Sequence, residues 1–258
     1  MKKGKFKYIV LILLLIIYAA AMFLAFGVDE VKERKAATTI VLGDGVVWDY
    51  SSRSWLNFNT PQLIEDVNWK KFNVYVDNEK FGNYSIWIDD KTYLFDDNRE
   101  AVNYQGNLFA YRAEYLIDVI PFSSQDITDY SYVNKVLEEH GVESKQFTLA
   151  NVTYIDFDQD GVDEAFYIVS NVFTTEFFPD RYFSYVFMVD NEKIYMLYED
   201  SDTNTGVNGC KPALYTIGDF DYDKDNELIL SCAKYSNQTP IFMLYEFQNN
   251  AFRIEISN

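Results

Sequence analysis

The chain has 258 residues, 48% of them hydrophobic and 18% aromatic, which is enough apolar surface for a real core in one large or two small domains and excludes a disordered tail. A formal net charge of −18 repels nucleic acid and anionic lipid head groups and favours cations, so no nucleic-acid partner is expected. Tyr and Phe, 21 of each, alternate with polar residues over long stretches, which is the composition of strands.

Lys2, Lys3, Lys5 and Lys7 precede an uncharged run of 19 residues, Tyr8 to Phe26, with Asp29 and Glu30 just beyond. That length spans a bilayer core as one helix, and the charge order leaves the lysines in the cytoplasm and everything after Gly27 outside. The expectation is a single-pass anchor over residues 8–26 with a cytoplasmic tip, together making up residues 1–27. The alternative is a cleaved signal peptide ending near Ala25-Phe26-Gly27, and thus a secreted chain. No Cys lies near the end of the run, which speaks against a lipid-anchored lipoprotein. Beyond the segment, 18 basic residues face 40 acidic ones, about −22.

Residues 28–39 are polar and mixed in charge, as in a stalk. Residues 40–121 read as a β-rich region, with alternating strands at Phe72–Val76, Tyr84–Ile88 and Thr92–Phe95 and turn chemistry at Asp77-Asn78, Gly82-Asn83 and Asp89-Asp90. Thr60-Pro61 has the form of a helix start. Residues 122–146 form a helical connector: Ile127, Tyr130, Val133 and Leu137 recur at helical spacing over about 124–140. Ser124 is the candidate cap and Gly141 the left-handed terminator.

Residues 147–258 repeat one plan twice. Strands at Leu149–Ile155, Ala165–Ser170, Tyr182–Val189 and Lys193–Tyr198 make a first unit, and Ala213–Gly218, Leu228–Ala233, Pro240–Phe247 and Ala251–Ile256 a second. The fold class is therefore mainly β: an N-terminal transmembrane helix, then antiparallel four-stranded units shaped like propeller blades, too few for a closed ring, with one helix near 124–140. The pentapeptide Val-Asp-Asn-Glu-Lys, at Val76–Lys80 and Val189–Lys193, raises the question of a degenerate copy in the N-terminal half.

Between the first two strands of each unit runs an acidic stretch, Asp156-Phe157-Asp158-Gln159-Asp160-Gly161-Val162-Asp163-Glu164 and Asp219-Phe220-Asp221-Tyr222-Asp223-Lys224-Asp225-Asn226-Glu227, with starts 63 residues apart. Carboxylates at positions 1, 3, 5 and 9 of a turn converge on a point, and their mutual repulsion calls for a cation, with calcium the natural occupant. An EF-hand needs flanking helices and a Glu at position 12. Here position 12 is Tyr167 or Leu230, both in strands, so an EF-hand is excluded.

The pattern resembles the FG-GAP/VCBS-type calcium loops of integrin-like β-propellers, D-x-[DN]-x-D-G-x-x-[DE] between adjacent strands, over roughly residues 147–257. The resemblance implies a first calcium site from Asp156, Asp158, Asp160 and Glu164 with the Val162 carbonyl. It implies a second from Asp219, Asp221, Asp223 and Glu227 with the Asp225 carbonyl. The second departs from the pattern at position 6, where Lys224 replaces Gly161, brings a positive charge and costs about 1 kcal/mol if the corner needs a positive φ.

Cys210 and Cys232 flank the second stretch. In a hairpin turning there, residues whose numbers sum to about 442 face each other, so a cross-strand disulfide and two buried thiols are both open. The one histidine, His140, sits at the predicted helix end as a cap, and no G-x-S-x-G, P-loop, G-x-G-x-x-G or H-E-x-x-H occurs. The reading is a non-catalytic, membrane-anchored, extracytoplasmic, calcium-stabilised module that binds a protein or glycan. The alternatives are an envelope-attached carboxylate-dependent hydrolase, with Trp48, Trp55, Trp69 and Trp87 as sugar-stacking rings, and a structural accessory protein.

Overall fold

The computed structural model describes residues 39–43, 45–50, 52–56, 60, 67–112, 117, 119–143, 146–172, 182–202, 209–221, 223–234, 237–248 and 251–256. The membrane segment, the body of the stalk and residues 61–66, where the helix started by Thr60-Pro61 would run, lie outside these residues, and no helix among the described residues is long and apolar enough to cross a membrane.

The described chain is mainly β, in three antiparallel sheets, none of them closed. The first sheet holds β1 (Thr39–Leu42), β2 (Val47–Asp49), β3 (Ser54–Leu56), β4 (Lys71–Val76), β5 (Glu79–Ile88), β6 (Thr92–Phe95), β7 (Ala101–Val102) and β8 (Leu108–Arg112), in the order β3-β2-β1-β8-β4-β5-β6-β7. β9 (Gln125–Asp126) and α1 (Ser131–Glu139) follow. The first repeat unit is β10 (Leu149–Ile155), β11 (Glu164–Ser170), β12 (Tyr182–Asp190) and β13 (Lys193–Asp202), with β9 added at the edge of β10. The second is the sheet of β14 (Cys210–Gly218), β15 (Glu227–Lys234), β16 (Asn237–Gln248) and β17 (Ala251–Ile256).

Strand alternation stacks these sheets. The second unit is apolar on both faces: Leu228, Leu230, Met243 and Tyr245 pack against Ile155, Phe166, Ile168 and Val186 of the first unit. One residue out of phase, Ile229, Phe242 and Leu244 pack against Ile40, Trp48, Phe109 and Tyr111 of the N-terminal sheet. The far face of the first unit carries Tyr167, Val169, Phe183 and Phe187 under Val133, Val136 and Leu137 of α1. The layers therefore run α1, first unit, second unit, N-terminal sheet. The N-terminal half supplies the fourth layer, and the third sheet, of an open stack.

Three expectations change. The helix begins at Ser131, not Ser124, and no side chain caps it at Tyr130. Gln125 and Asp126 are instead drawn into strand pairing with Val152 and Asn151, and the Asp129 carboxylate accepts from the Ser131 amide at 2.9 Å. At the other end Gly141 has φ +63 and the Val142 amide reaches back to the Leu137 carbonyl, the expected left-handed stop. Gly82, read as a turn, lies inside β5 at a bulge where pairing jumps from Val74↔Gly82 to Tyr75↔Lys80.

The pentapeptide is used in two registers. Val76 pairs with Glu79, leaving Asp77 and Asn78 at the corner with positive φ; Asp190 pairs with Lys193, leaving Asn191 and Glu192 there. One slipped residue inverts every side chain relative to its sheet, so the shared sequence reflects turn chemistry and gives no support to a copied unit.

Candidate metal centres

Each acidic stretch is the loop of a β-hairpin whose corner is pinned from inside. At position 2, Phe157 and Phe220 are buried, Phe157 among Phe166, Phe247 and Phe252 and Phe220 beside Phe109. Their amides donate to the position-9 glutamates, Phe157 to Glu164 Oε2 and Phe220 to Glu227 Oε2, both at 2.6 Å. At position 1, Asp156 Oδ2 accepts from the Gly161 amide and Asp219 Oδ2 from the Lys224 amide, both at 3.1 Å. Asp158 and Asp221 accept from the amides of Asp160 and Asp223, and these in turn from Val162 and Asp225. Sequence repetition has become repetition of hydrogen bonds. Lys224 takes φ +80 where Gly161 has φ +90, so the corner does need the left-handed region and Lys224 carries its cost.

The loops gather carboxylate oxygens, one per residue, within 4.8 Å of one another: Asp156, Asp158 and Glu164 in the first loop, and Asp219, Asp221, Asp223 and Glu227 in the second. Asp160 stands outside the first group. Val162 turns an exposed side chain to solvent, and the Asp225 carboxylate is outside the second group, which leaves only the main chain of either residue for the role implied by the resemblance.

These clusters are electrostatically expensive as they stand. Glu164 and Glu227 are 2% and 3% exposed. Burial, followed by the charge of Asp221, holds Glu227 well above the usual carboxylate range, while the Phe220 amide opposes the shift. Burial raises Glu164 as well, with the Phe157 amide opposing and the Asp158 charge adding. Asp156 Oδ1 is buried without a hydrogen-bond partner among the described residues. An all-oxygen, anionic donor set with an orphaned buried oxygen fits a hard divalent cation. With no His or thiolate in either group, the donor set is that of an oxygen-seeking cation and not of zinc.

The loops also touch each other. Asn226, at position 8 of the second, donates from Nδ2 to the Phe157 carbonyl of the first at 2.6 Å, and Gln159 reaches the Lys224 carbonyl at 3.5 Å. Sequence reading missed Glu246, which pairs directly opposite Glu227 across β15 and β16 and is 5% exposed. It also missed Arg53, whose Nη2 donates to both Glu246 oxygens at 2.8 and 3.0 Å. A glutamate on a strand and an arginine 193 residues away carry no local signal; only the layer order brings them together.

Cys210 and Cys232 are joined, with S–S 1.98 Å and Cα–Cα 5.4 Å. They are not directly opposed: Cys210 pairs with Lys234 and Cys232 with Pro212, a sum of 444, because the turn sits later than assumed, with a sum of 445 next to the loop, and the bulge between Leu214 and Thr216 takes back only one residue. His140 is the C-cap residue of α1, with Nδ1 2.8 Å from the Val136 carbonyl and Nε2 3.3 Å from Glu199. Of the four tryptophans, Trp48 is fully buried, Trp55 is packed on it and on Phe242, and Trp69 is exposed beside Trp87.

Compared with known protein families, curated proteins and solved structures, the chain matches none.

Proposed function

We propose that the protein is a non-catalytic, extracytoplasmic β module held at the membrane by residues 8–26, stabilised by calcium in its two acidic loops, and presenting its stacked sheets to a protein or glycan partner. The observation that carries the metal part is the duplicated cage: two loops with the same internal hydrogen bonds, each closing on a buried glutamate. It fits the FG-GAP/VCBS-type pattern at positions 1, 3 and 9 in both loops, at position 5 in the second, and at the positive-φ corner. The disulfide suits an oxidising compartment, in keeping with the lysine-first, acid-last flanks of the apolar segment.

Calcium acts here as a clamp and not as a Lewis acid at a reaction centre. The sheets cohere by apolar burial, about 1.5–3 kcal/mol for each fully buried large side chain. Cation binding to the folded form adds an increment to that. Calorimetric titration of the full-length chain with calcium, and melting in calcium and in chelator, test the reading. Two bound ions and a higher melting temperature are expected; no heat and no change in melting would overturn it.

A further inference from the structure

The stack has a direction. Glu164 lies on the face of β11 that carries Phe166 and Ile168 towards the second unit, and Glu227 lies on the face of β15 that carries Ile229 towards the N-terminal sheet. Each loop thus points at the next layer. For the first loop that layer answers with Asn226, which bonds the Phe157 carbonyl. For the second loop the next layer is the turn after β2, where Arg53 grips Glu246 opposite Glu227.

Tyr50 belongs to the same turn. Its ring is held in the core between the N-terminal sheet and the second unit, edge-on to Trp48 at 5.7 Å, and the residue is 7% exposed. Its hydroxyl is buried with no hydrogen-bond partner among the described residues. The charges that act on it are those of Glu227, Asp221 and Glu246, with Arg53 opposing. A buried phenol hydroxyl left without a partner has lost its water and gained nothing in exchange, so it favours any arrangement that supplies one. Asp219, Asp221, Asp223 and Glu227 bring four carboxylate oxygens to one point, and the bound water of a divalent ion held there would offer the hydroxyl a partner.

We propose that the N-terminal sheet completes the second cation site through the Tyr50 hydroxyl, so that a cation there fastens the eight-stranded sheet to the second unit. This rests on the calcium reading of the loops. It makes the second site an inter-layer fastener, where the Lys224 corner alone would make it a weaker copy of the first.

The test uses the full-length chain with one loop disabled at a time. In a Glu164→Gln background, which isolates the second loop, Tyr50→Phe is expected to weaken calcium binding about tenfold in calorimetric titration. In a Glu227→Gln background, which isolates the first, it is expected to leave binding unchanged. Equal affinity with and without the hydroxyl in the first background, or an equal loss in both, would overturn the inference. A second measurement needs no change at Tyr50: calcium should slow amide hydrogen exchange in β2 and β3 of the Glu164→Gln chain and not of the Glu227→Gln chain, and the same exchange in both would also overturn it. Failure of the unaltered chain to bind calcium at all is a different result; it removes the loop reading and this inference with it.

Discussion

The two repeat units share a loop and differ in what holds the rest of the hairpin. In the first unit, β10 and β11 leave a loop with Gly at its corner, and the end of β11 away from the loop is tied by small polar contacts, Ser170 Oγ to Ser184 Oγ at 3.0 Å and the Phe183 amide to Asn171 at 2.6 Å. In the second, Lys224 occupies the corner, a covalent bond joins β14 and β15 away from the loop, and the sheet is buried on both faces. The loop scaffold is therefore set by its acids and by the Phe anchor at position 2, and it tolerates a strained corner where the surrounding layers are strongest. A structural penalty of about 1 kcal/mol is absorbed by the unit best able to carry it.

The largest expected effect comes from emptying both cages at once. At calcium concentrations a hundredfold above the dissociation constants, each occupied loop contributes about 2.7 kcal/mol, so chelation costs about 5 kcal/mol and lowers Tm by roughly 10–20 °C. Glu164→Gln and Glu227→Gln should each remove about half of the calcium-dependent increment while leaving melting in chelator unchanged or slightly raised, because each deletes a buried charge. Equal increments in wild type and both variants would show that the glutamates do not close the cages.

The disulfide separates the units next. Its two cysteines lie 22 residues apart, a closure worth about 3 kcal/mol, so Cys210→Ala/Cys232→Ala should lower Tm by roughly 6–12 °C in calcium and chelator alike. A loss confined to chelator would mean that bond and cation constrain the same opening, in place of opposite ends of one hairpin.

Much of this contrast is legible in the sequence. The strands flanking the loops, the rejection of an EF-hand and the strain at Lys224 all follow from spacing, because a β-hairpin and its turn are local. The start of α1 is not, since Gln125 and Asp126 are taken by pairing with β10, a competitor that local helix signals do not register. Nor is the role of Tyr50, Arg53 and Glu246, which depends on the N-terminal sheet stacking on the second unit. Trp48 and Trp55, sugar-stacking rings only in the hydrolase alternative, belong to the core, Trp48 fully buried and Trp55 packed against the same cluster.

A smaller effect comes from pH. The folded pKa values of Glu164 and Glu227 are raised, so their contribution to stability is complete below the unfolded value of about 4.3 and is lost as pH rises through the folded values. In chelator, stability should therefore fall with rising pH, by up to about 1.4 kcal/mol per pH unit for each group in its titration range. Calcium competes with the protons and should reverse the slope. Because Glu227 is shifted further, Glu227→Gln should flatten the chelator profile more than Glu164→Gln, and identical profiles would erase this difference between the loops.

The finest test exchanges the corners. Gly161 at φ +90 has nothing within 4 Å of the position a Cβ would take, so Gly161→Lys meets only the backbone cost, about 1 kcal/mol, or roughly 2–4 °C in Tm. Lys224→Gly relieves the same cost at φ +80, less what glycine gives back through a freer unfolded chain, and takes a positive charge away from the second cage. The first variant should therefore lose stability in chelator and weaken calcium binding at the first loop; the second should gain a little stability and bind calcium more tightly. If the two corners differ only by strain, the stability changes will be near mirror images while both affinities stay put. If the lysine charge reaches the ion, affinities will move too, and the movement will shrink as salt is added, because an exposed ammonium is screened over about 10 Å at 0.1 M ionic strength.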